Sequence, residues 1–219
     1  MNKALVTFGV GTHAELLDIA RPSYQAFAKR HGYDYFEAQF GGTLARPPAW
    51  YKIQCLIDLL KSYDLAVFIG SDLVIVDGRE DLPQEFPLNE SEWWQAMVSH
   101  DTQCGYVPND DLWICKPPML PVLEQIWNMT QYLNHGWWEQ AALMDLMGYD
   151  PSIEHFPTYP KDKTRELYQR TRFISTEWNV HKWDKWQPLH PRIQHATMWP
   201  DRPAIMREWA KQAEGWMSE

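Results

Sequence analysis

The stretch between Tyr63 and Asp77 constrains the fold of this chain more than any other. Residues 65–69 form an unbroken apolar run, which is typical of a strand covered on both faces in a parallel or mixed sheet. The run leads directly into Gly70-Ser71-Asp72, and a second, mostly β-branched run follows over residues 73–76. The pattern predicts a buried central strand with a carboxylate fixed at its end.

Asp72 would therefore lie where open α/β sheets collect their ligands, beyond the carboxyl ends of the strands. A bound metal ion or a phosphate would be met at this position. Ser71 and Asp72 are equally compatible with a plain polar turn between two strands, because Asp favours turns. The local sequence leaves both interpretations open.

Strand and helix patterns alternate along the chain. The predicted strands cover residues 4–8, 33–36, 65–69, 73–76, 95–99, 112–115, 173–174 and 192–195, and the predicted helices cover 12–32, 50–60, 120–134, 138–147 and 204–216. Thr12 and Glu15 fit a capping box at the start of the first helix, Pro22 should kink or restart it, and Gly32 should end it. Residues 149–172 are predicted to be a loop or mobile segment. The alternation predicts an α/β fold with a mostly parallel central sheet flanked by helices.

Composition narrows the class of protein. The 219 residues, 45% of them hydrophobic, suffice for one domain with a full core. The net charge of -9 argues against nucleic acid and anionic membranes as partners, although it leaves room for a local basic patch. No apolar segment resembles a signal peptide or a membrane span, so we expect a cytoplasmic protein without membrane insertion. The three cysteines, Cys55, Cys104 and Cys115, lack the spacing of a disulfide framework or a zinc site and favour a reducing compartment.

The 13 tryptophans are concentrated after residue 90. Their rings suit stacking platforms for sugars and partner interfaces, because Trp combines a large apolar area with a polar N–H. Filling an irregular core is the alternative role, and it is the one we expect for most of them.

Other candidate residues are ambiguous when taken alone. Thr7-Phe8-Gly9 ends the first strand and could bring backbone N–H groups to a nucleotide, or it could be a simple turn, since the third glycine of a dinucleotide fingerprint is missing. Glu139 suits the first turn of a helix on electrostatic grounds alone. Lys52 fits a solvated helical lysine equally well, and His195 fits a packed or surface histidine.

Six short motifs nevertheless follow one another along nearly the whole chain. They are His31-Gly32-Tyr33; Trp50-Tyr51-Lys52; Tyr63-Asp64 with Phe68-Ile69-Gly70-Ser71-Asp72-Leu73-Val74-Ile75; Asn109-Asp110-Asp111-Leu112-Trp113-Ile114-Cys115-Lys116; Trp138-Glu139-Gln140-Ala141-Ala142-Leu143; and Trp178-Asn179 with a late His195. In this order they resemble the GT-A glycosyltransferases, and most closely the galactosyl/mannosyltransferase group that includes yeast Golgi mannan enzymes and plant xylosyltransferases.

The chain departs from the pattern of that family at three positions. Gly70 stands where the family's Asp-x-Asp metal motif has its first carboxylate. Asp111 replaces the glycine of the family's N-x-G, and Met198 stands where a glycine follows the late histidine. One carboxylate and one imidazole, Asp72 and His195, remain to hold Mn²⁺ or Mg²⁺ together with diphosphate oxygens. If no metal is used, Lys52, Lys116 or Arg202 would have to neutralise the diphosphate.

The resemblance implies a role for each matching residue. It implies that the donor is bound by Lys52, Ser71, Asp72 and Asp110, to which the turn at Thr7, Phe8 and Gly9 would add backbone contacts. It implies that Glu139 and Gln140 flank the transferred sugar and that Asp110 or Asp111 binds sugar hydroxyls. The implied reaction retains the anomeric configuration, and the leaving phosphate takes the acceptor's proton. Glu139, Gln140 and Asp111 are thus the predicted catalytic residues.

We therefore predict a single GT-A domain over residues 1–219, with a nucleotide-sugar-binding half over 1–116 and an acceptor-side half over 117–219. The predicted function is transfer from a nucleotide-diphosphate sugar, expected to be a UDP-sugar, to an acceptor hydroxyl of unspecified class. Two alternatives stay open: a Trp-rich carbohydrate-binding protein with a decayed catalytic site, and a sugar-phosphate nucleotidyltransferase. The Gly-rich, Arg-containing N-terminal loop that nucleotidyltransferases use is absent from this sequence.

Overall fold

The computed structural model describes residues 1–40, 44–83, 92–103, 105–152 and 158–219. Within them the strands are β1 (Lys3–Thr7), β2 (Tyr33–Glu37), β3 (Leu65–Ile69), β4 (Leu73–Ile75), β5 (Gln95–Thr102), β6 (Gly105–Cys115), β7 (Thr171–Ile174), β8 (Val180–His181) and β9 (Ile193–His195). The α-helices are α1 (His13–His31), α2 (Tyr51–Leu60), α3 (Leu120–Asn128), α4 (Trp138–Leu146), α5 (Glu166–Gln169) and α6 (Arg202–Met217).

The central sheet has the strand order β2-β1-β3-β6-β5-β7. β6 runs antiparallel to its neighbours β3 and β5, and the other five strands run in one direction. β3 lies inside the sheet, and all five of its residues are buried. The predicted α/β fold with a mostly parallel central sheet is confirmed, and so is the buried central strand.

Helices cover both faces of this sheet, as the continuous apolar run of β3 requires. On one face α1 and α6 pack their aromatic side chains over the sheet, including Tyr24, Phe27 and Trp216. On the other face the core is built by α2, α3 and α4. Asp72 follows the carboxyl end of β3 and lines a cavity, and the candidate site lies there.

A second, three-stranded sheet of order β4-β9-β8 lies next to that edge. β4 begins directly after Asp72, and in the antiparallel pairing of β4 with β9 Leu73 lies opposite His195. The backbone N–H of Ala196 donates to the carbonyl of Asp72 over 2.8 Å. This small sheet therefore fixes a histidine from late in the chain beside the carboxylate that follows β3.

The start of α1 differs from its prediction. The helix begins at His13, and the side chain of Thr12 makes no capping hydrogen bond, so the predicted capping box is not formed. Pro22 lies inside a continuous helix, on its exposed face, where water can satisfy the carbonyl that proline leaves unpaired. Gly32 ends the helix in a left-handed conformation with φ 70°, as predicted.

Other observed element boundaries differ from the predicted ones, partly because polar residues within a strand made it look like a loop. β6 begins at Gly105 rather than near residue 112, since its middle contains Asn109, Asp110 and Asp111. α3 ends at Asn128 rather than near residue 134, because Met129 leaves the helical conformation with φ -80° and ψ 67°. The segment predicted as a loop over 149–172 contains the short α5, and its residues 153–157 lie outside the described part of the chain.

In the described part, Cys55 and Cys115 are free thiols, and no helix is long and apolar enough to cross a membrane. Cys104 lies outside the described residues.

Candidate active site

The turn between β3 and β4 places Asp72 at the edge of the sheet. The buried hydroxyl of Tyr24 shares its proton between the carbonyls of Gly70, 2.6 Å away, and Leu73, 2.5 Å away. The N–H of Gly70 donates to the carbonyl of Asp111 across the neighbouring strand over 2.7 Å. These bonds hold both ends of the turn. Asp72 is thus both a turn residue and a strand-end carboxylate that faces a cavity.

Asp72 is surrounded by positively charged and imidazole groups. Its Oδ1 lies 3.5 Å from Nε2 of His195, and its Oδ2 accepts a hydrogen bond from Nη1 of Arg202 at 3.2 Å. Burial alone would raise the pKa of Asp72, but His195, His13 and Arg202 outweigh burial and hold the pKa below its ordinary value. Asp72 is therefore ionised at neutral pH.

His195 is buried, with 1% of its surface exposed. Its Nδ1 lies 3.0 Å from Oδ1 of Asn179, which fixes the orientation of the ring. Its Nε2 has no hydrogen-bond partner among the described residues and points between Asp72 and Asp111, whose nearest oxygens are 3.5 and 3.6 Å away. Burial opposes protonation of the ring, but the two carboxylates prevail and raise the pKa of His195.

Lys52, in the first turn of α2, is the centre of a buried charge cluster. Its Nζ lies 3.0 Å from Asp110, 3.1 Å from Asp111 and 2.9 Å from Glu139, and only 3% of the side chain is exposed. An ammonium group has three N–H donors, so these carboxylates account for all of them. A phosphate or sugar hydroxyl would reach Lys52 only by displacing one of the three.

The carboxylates of this cluster differ in their proton affinity. Burial raises the pKa of Glu139 to about 7, although Lys52 acts in the opposite direction. Burial likewise raises the pKa of Asp110. The pKa of Asp111 is lowered, because Lys52 and His195 outweigh its desolvation. Neighbouring carboxyls with divergent pKa values are a mark of functional sites.

Two adjoining cavities open onto these side chains. The first, of about 490 Å³, is lined by Phe8, Val10, His13, Ser71, Asp72 and Arg202 among others, and we call it the Asp72 cavity. The second, of about 500 Å³, is lined by His100, Asp110, Glu139, Gln140, Trp183 and His195 among others, and we call it the Glu139 cavity. Both cavities share the residues Ala49, Lys52, Asp111, Trp138 and Thr197.

The wall of the Glu139 cavity contains buried polar atoms without hydrogen-bond partners and residues with strained backbone conformations. Four buried polar atoms on its wall have no hydrogen-bond partner among the described residues: Nε2 of His100, Oδ2 of Asp110, Oε2 of Glu139 and Nε2 of His195. Trp138 and Met198, which also line it, adopt positive φ values of 45° and 63°. Buried unpaired polar atoms and strained backbone both cost free energy, and they are tolerated where a ligand makes use of them.

The structure brings most of the sequence-predicted residues to these cavities. Asp72, Ser71, Lys52, Asp110, Asp111, Glu139, Gln140 and His195 all line one cavity or both. Of the predicted nucleotide-binding turn, Phe8 lines the Asp72 cavity, whereas Thr7 is fully buried. Gly9 lines a neighbouring cavity of about 350 Å³.

Several residues were not singled out from the sequence. His13, at the start of α1, lies 2.9 Å from Ser71 Oγ through its Nδ1. His100 on β5 lies 2.9 Å from Asp184 through its Nδ1 and turns its unpaired Nε2 toward the Glu139 cavity. The position of His13, four residues after Gly9 at the end of the first predicted strand, was a usable signal. The pairing of His100 with a carboxylate 84 residues away was not.

In the described part of the chain, no three or more His, Cys, Asp or Glu side chains are already arranged as a metal site. The predicted pair Asp72 and His195 does come together, at 3.5 Å. Of the other cations considered, Arg202 lies on Asp72, whereas Nζ of Lys116 lies 3.8 Å above the ring of Trp93.

Comparisons with known proteins support the fold. No protein-family model and no curated protein sequence matches the chain. Its structure is similar to a glycosyltransferase involved in glycosylation of the major capsid of PBCV-1, with a TM-score of 0.67 and 11% sequence identity. The match covers 96% of this chain and 99% of that glycosyltransferase. The structure is also similar to the apo form of the glycosyltransferase GlyE of Streptococcus pneumoniae (TM-score 0.60, 13% identity), covering 100% of this chain but 64% of GlyE.

A third similar structure is the galactosyltransferase LgtC in complex with donor and acceptor sugar analogues (TM-score 0.53, 10% identity), with 94% and 95% of the two chains covered. These neighbours are glycosyltransferases of the GT-A type, and the chain shares their fold. At such identities the likeness establishes the fold alone. The closer resemblance to yeast mannan enzymes stays a prediction.

Proposed function

We propose that this protein is a glycosyltransferase that moves a sugar from a nucleotide-diphosphate sugar, a UDP-sugar, to an acceptor hydroxyl with retention of the anomeric configuration. The observation that carries the proposal is the Asp72–His195 pair. On a GT-A fold, it places a strand-end carboxylate of one cavity 3.5 Å from an imidazole of the adjoining cavity. Donor and acceptor would thus meet at the residues that both cavities share.

The Asp72 cavity has the chemistry of the donor side. Arg202 and His13 lie on its wall beside Asp72 and can approach phosphate oxygens, while Phe8 and Phe68 provide apolar surface. The Glu139 cavity suits the transferred sugar and the acceptor. Trp138 and Trp183 line it and are 44% and 48% exposed, and exposed aromatic rings next to polar groups suit sugar stacking.

The charges of the site fit a divalent cation. Four carboxyl groups, Asp72, Asp110, Asp111 and Glu139, face two permanent cations, Lys52 and Arg202. A diphosphate would add negative charge to an already negative site, and the unpaired, buried Nε2 of His195 is a suitable ligand for a metal ion. Asp72 and His195 would hold Mn²⁺ or Mg²⁺, and such an ion neutralises the charge of a departing diphosphate.

The protein's own residues would act around the anomeric carbon. Lys52 fixes Glu139 and Asp110 through ion pairs of 2.9 and 3.0 Å, which orients them before the substrate arrives. Glu139 and Gln140 would stabilise the positive character of the sugar as its bond to phosphate breaks. The acceptor oxygen would bond to the anomeric carbon, and its proton would pass to the leaving phosphate. Asp110 or Asp111 would hold sugar hydroxyls.

A thermal-shift panel of UDP, GDP, CDP and ADP, with and without Mn²⁺, tests this function. A nucleotide at 100 times its dissociation constant should add roughly 2.7 kcal/mol to the free energy of unfolding. UDP with Mn²⁺ should give the largest shift in the wild type. Asp72→Asn should abolish that shift, whereas Asp58→Asn, an exposed carboxylate of α2, should retain it. The absence of a shift with every nucleotide would contradict the proposed function.

A further inference from the structure

Gly70 and Asp111 lie next to each other at the edge of the central sheet, so a side chain at position 70 would contact the side chain of Asp111. They lie just beyond the last residue pair of β3 and β6, in which Ile69 is opposite Leu112, and the N–H of Gly70 donates to the carbonyl of Asp111. A Cβ atom added to Gly70 would lie 3.1 Å from Cδ1 of Leu73, 3.3 Å from Cβ of Asp111 and 3.4 Å from Oδ1 of Asp72. A side chain at position 70 would therefore emerge beside Oδ1 of Asp72, next to the side chain of Asp111.

The carboxylate of Asp111 reaches two groups at once. Its Oδ1 lies 3.1 Å from Lys52, and its Oδ2 lies 3.6 Å from Nε2 of His195. The side chain is 32% exposed and lines both cavities, so the second oxygen is accessible from the place where the cavities meet. A counter-ion for Lys52 alone would need only the first of these contacts.

The side chain of His195 independently indicates that a ligand binds between Asp72 and Asp111. Its Nε2 is buried, has no hydrogen-bond partner among the described residues, and points at Oδ1 of Asp72 and Oδ2 of Asp111. Arg202 engages the other oxygen of Asp72, so Oδ1 stays available. Carboxylate oxygens and an imidazole nitrogen are ligands that Mn²⁺ accepts.

We infer that Asp111 supplies, from β6, the carboxylate that the turn after β3 lacks at Gly70, so that Asp72, Asp111 and His195 together form the protein side of a divalent-cation site. The diphosphate of the donor would complete the coordination, and this part rests on the proposed function. Neighbouring ligands of an octahedral ion lie about 3 Å apart, since each is about 2.1 Å from the ion. The separations of 3.5 and 3.6 Å are wider, so the ion itself has to draw the three groups together.

If Asp111 replaces a carboxylate missing at position 70, moving the carboxylate back to position 70 should restore metal binding. A purely structural role of Asp111 does not predict such a rescue. Asp111→Gly should weaken Mn²⁺ binding at least about tenfold. The double substitution Gly70→Asp with Asp111→Gly should restore binding to within roughly threefold of the wild type, a difference below about 1 kcal/mol. Position 70 can accept aspartate in this background, because the φ of Gly70 is not positive, the contact with Asp111 has been removed, and the closest remaining atom, Cδ1 of Leu73 at 3.1 Å, is the end of a flexible side chain that can shift. Lys52 keeps Asp110 and Glu139 as partners in both variants.

The measurement is titration of Mn²⁺ by calorimetry and by its electron paramagnetic resonance signal, first on the protein alone and then with saturating UDP. Asp111→Asn, which keeps the size of the side chain, serves as a second variant that should fold and still lose affinity. Asp58→Asn is the matched surface control. Retained Mn²⁺ affinity in both Asp111 variants would overturn the inference, and so would a double variant as weak as Asp111→Gly.

The two proposals fail in different ways. If UDP does not bind the wild type, the proposed function is contradicted, while the titrations with Mn²⁺ alone still decide the role of Asp111. If UDP binds the wild type and Asp111→Asn leaves the Mn²⁺ dependence of UDP binding unchanged, only the inference about Asp111 is overturned. Linkage requires that any tightening of Mn²⁺ by UDP equals the tightening of UDP by Mn²⁺, which provides an internal check.

Discussion

Lys52 places an ammonium group in a position where only 3% of its side chain is exposed, and a charge is stable there only if it is paired. Three carboxylates within 3.1 Å provide the pairing and raise the pKa of Lys52 against the effect of burial. Removing this lysine would leave three acidic groups without their common cation. Its main effect in this protein is thus to fix Asp110, Asp111 and Glu139 beside the cavities.

Glu139 should make the stability of the protein depend on pH. Its pKa is raised from 4.5 to about 7 in the folded state, so the folded protein binds the proton more tightly than the unfolded chain. The free energy of unfolding should therefore fall as the pH rises from 4.5 to about 7, by on the order of 3 kcal/mol at most. Glu139→Gln should have a flatter profile, measured by urea denaturation at a series of pH values. Parallel profiles for the two proteins would contradict the assigned pKa.

Single residues were predictable where local sequence set their position. Asp72 follows an apolar run, and Glu139 begins a helical pattern, so both were placed correctly at element ends. The partners of Lys52 were not predictable without the family resemblance. They come from β6 and α4, which lie 58 to 87 residues further along the chain, and no local pattern encodes such a contact.

At the scale of elements, the turn between β3 and β4 depends on α1. The hydroxyl of Tyr24, fully buried, is bonded to the carbonyls at both ends of the turn. Tyr24→Phe should lower the free energy of unfolding by about 1–3 kcal/mol, because it leaves a buried carbonyl without its donor. It should also weaken UDP binding, since the turn carries Asp72. Tyr63→Phe, whose hydroxyl bonds to Asp34 at the surface, should change little. Equal stability of the two variants, in chemical denaturation, would count against this role of Tyr24.

Elements with a strong local pattern were predicted well. β3 and α2 follow their apolar patterns closely. β6 was shortened in the prediction because the Asn109-Asp110-Asp111 run looks like a loop, yet these polar groups lie in a strand that faces the site. The short β8 and α5 lack enough residues to show a period, and their structure depends on tertiary contacts.

At the scale of the whole molecule, α6 connects the end of the chain to the site. It begins with Arg202 at the Asp72 cavity, and near its other end Nε1 of Trp216 donates to the carbonyl of Ile75 over 3.2 Å. The ring of Trp216 covers Gly78 so closely that an added Cβ would lie 2.6 Å from it. The helix is therefore held against the sheet by a contact that only glycine at position 78 permits.

Two glycine substitutions should have opposite effects. Gly78→Ala should lower the free energy of unfolding by about 1–3 kcal/mol, since the buried Trp216 ring has to move. Gly215→Ala, in the same helix with nothing within 4 Å of the added Cβ, should raise it by about 0.5–1 kcal/mol. Thermal and urea unfolding of both variants measures the difference. Destabilisation of similar size in the two would show that α6 is not anchored in this way.

The fold class was predictable from the alternation of strands and helices, whereas the arrangement of the strands was not. The reversed strand β6 inside a parallel sheet, and the second sheet that carries His195, both depend on pairings between distant parts of the chain. The site lies where these pairings meet. Its residue types were therefore predictable from motifs, and its geometry was not.

The most direct test is the release of nucleoside diphosphate from a panel of UDP-, GDP-, CDP- and ADP-sugars in the presence of Mn²⁺. The wild type should release UDP from at least one UDP-sugar. Glu139→Ala should reduce that turnover roughly tenfold or more while leaving UDP affinity nearly unchanged, because its interaction strengthens only as charge develops at the anomeric carbon. A wild-type protein that binds UDP but releases no nucleoside diphosphate from any sugar donor would be a binding protein, and the claim of sugar transfer would be wrong.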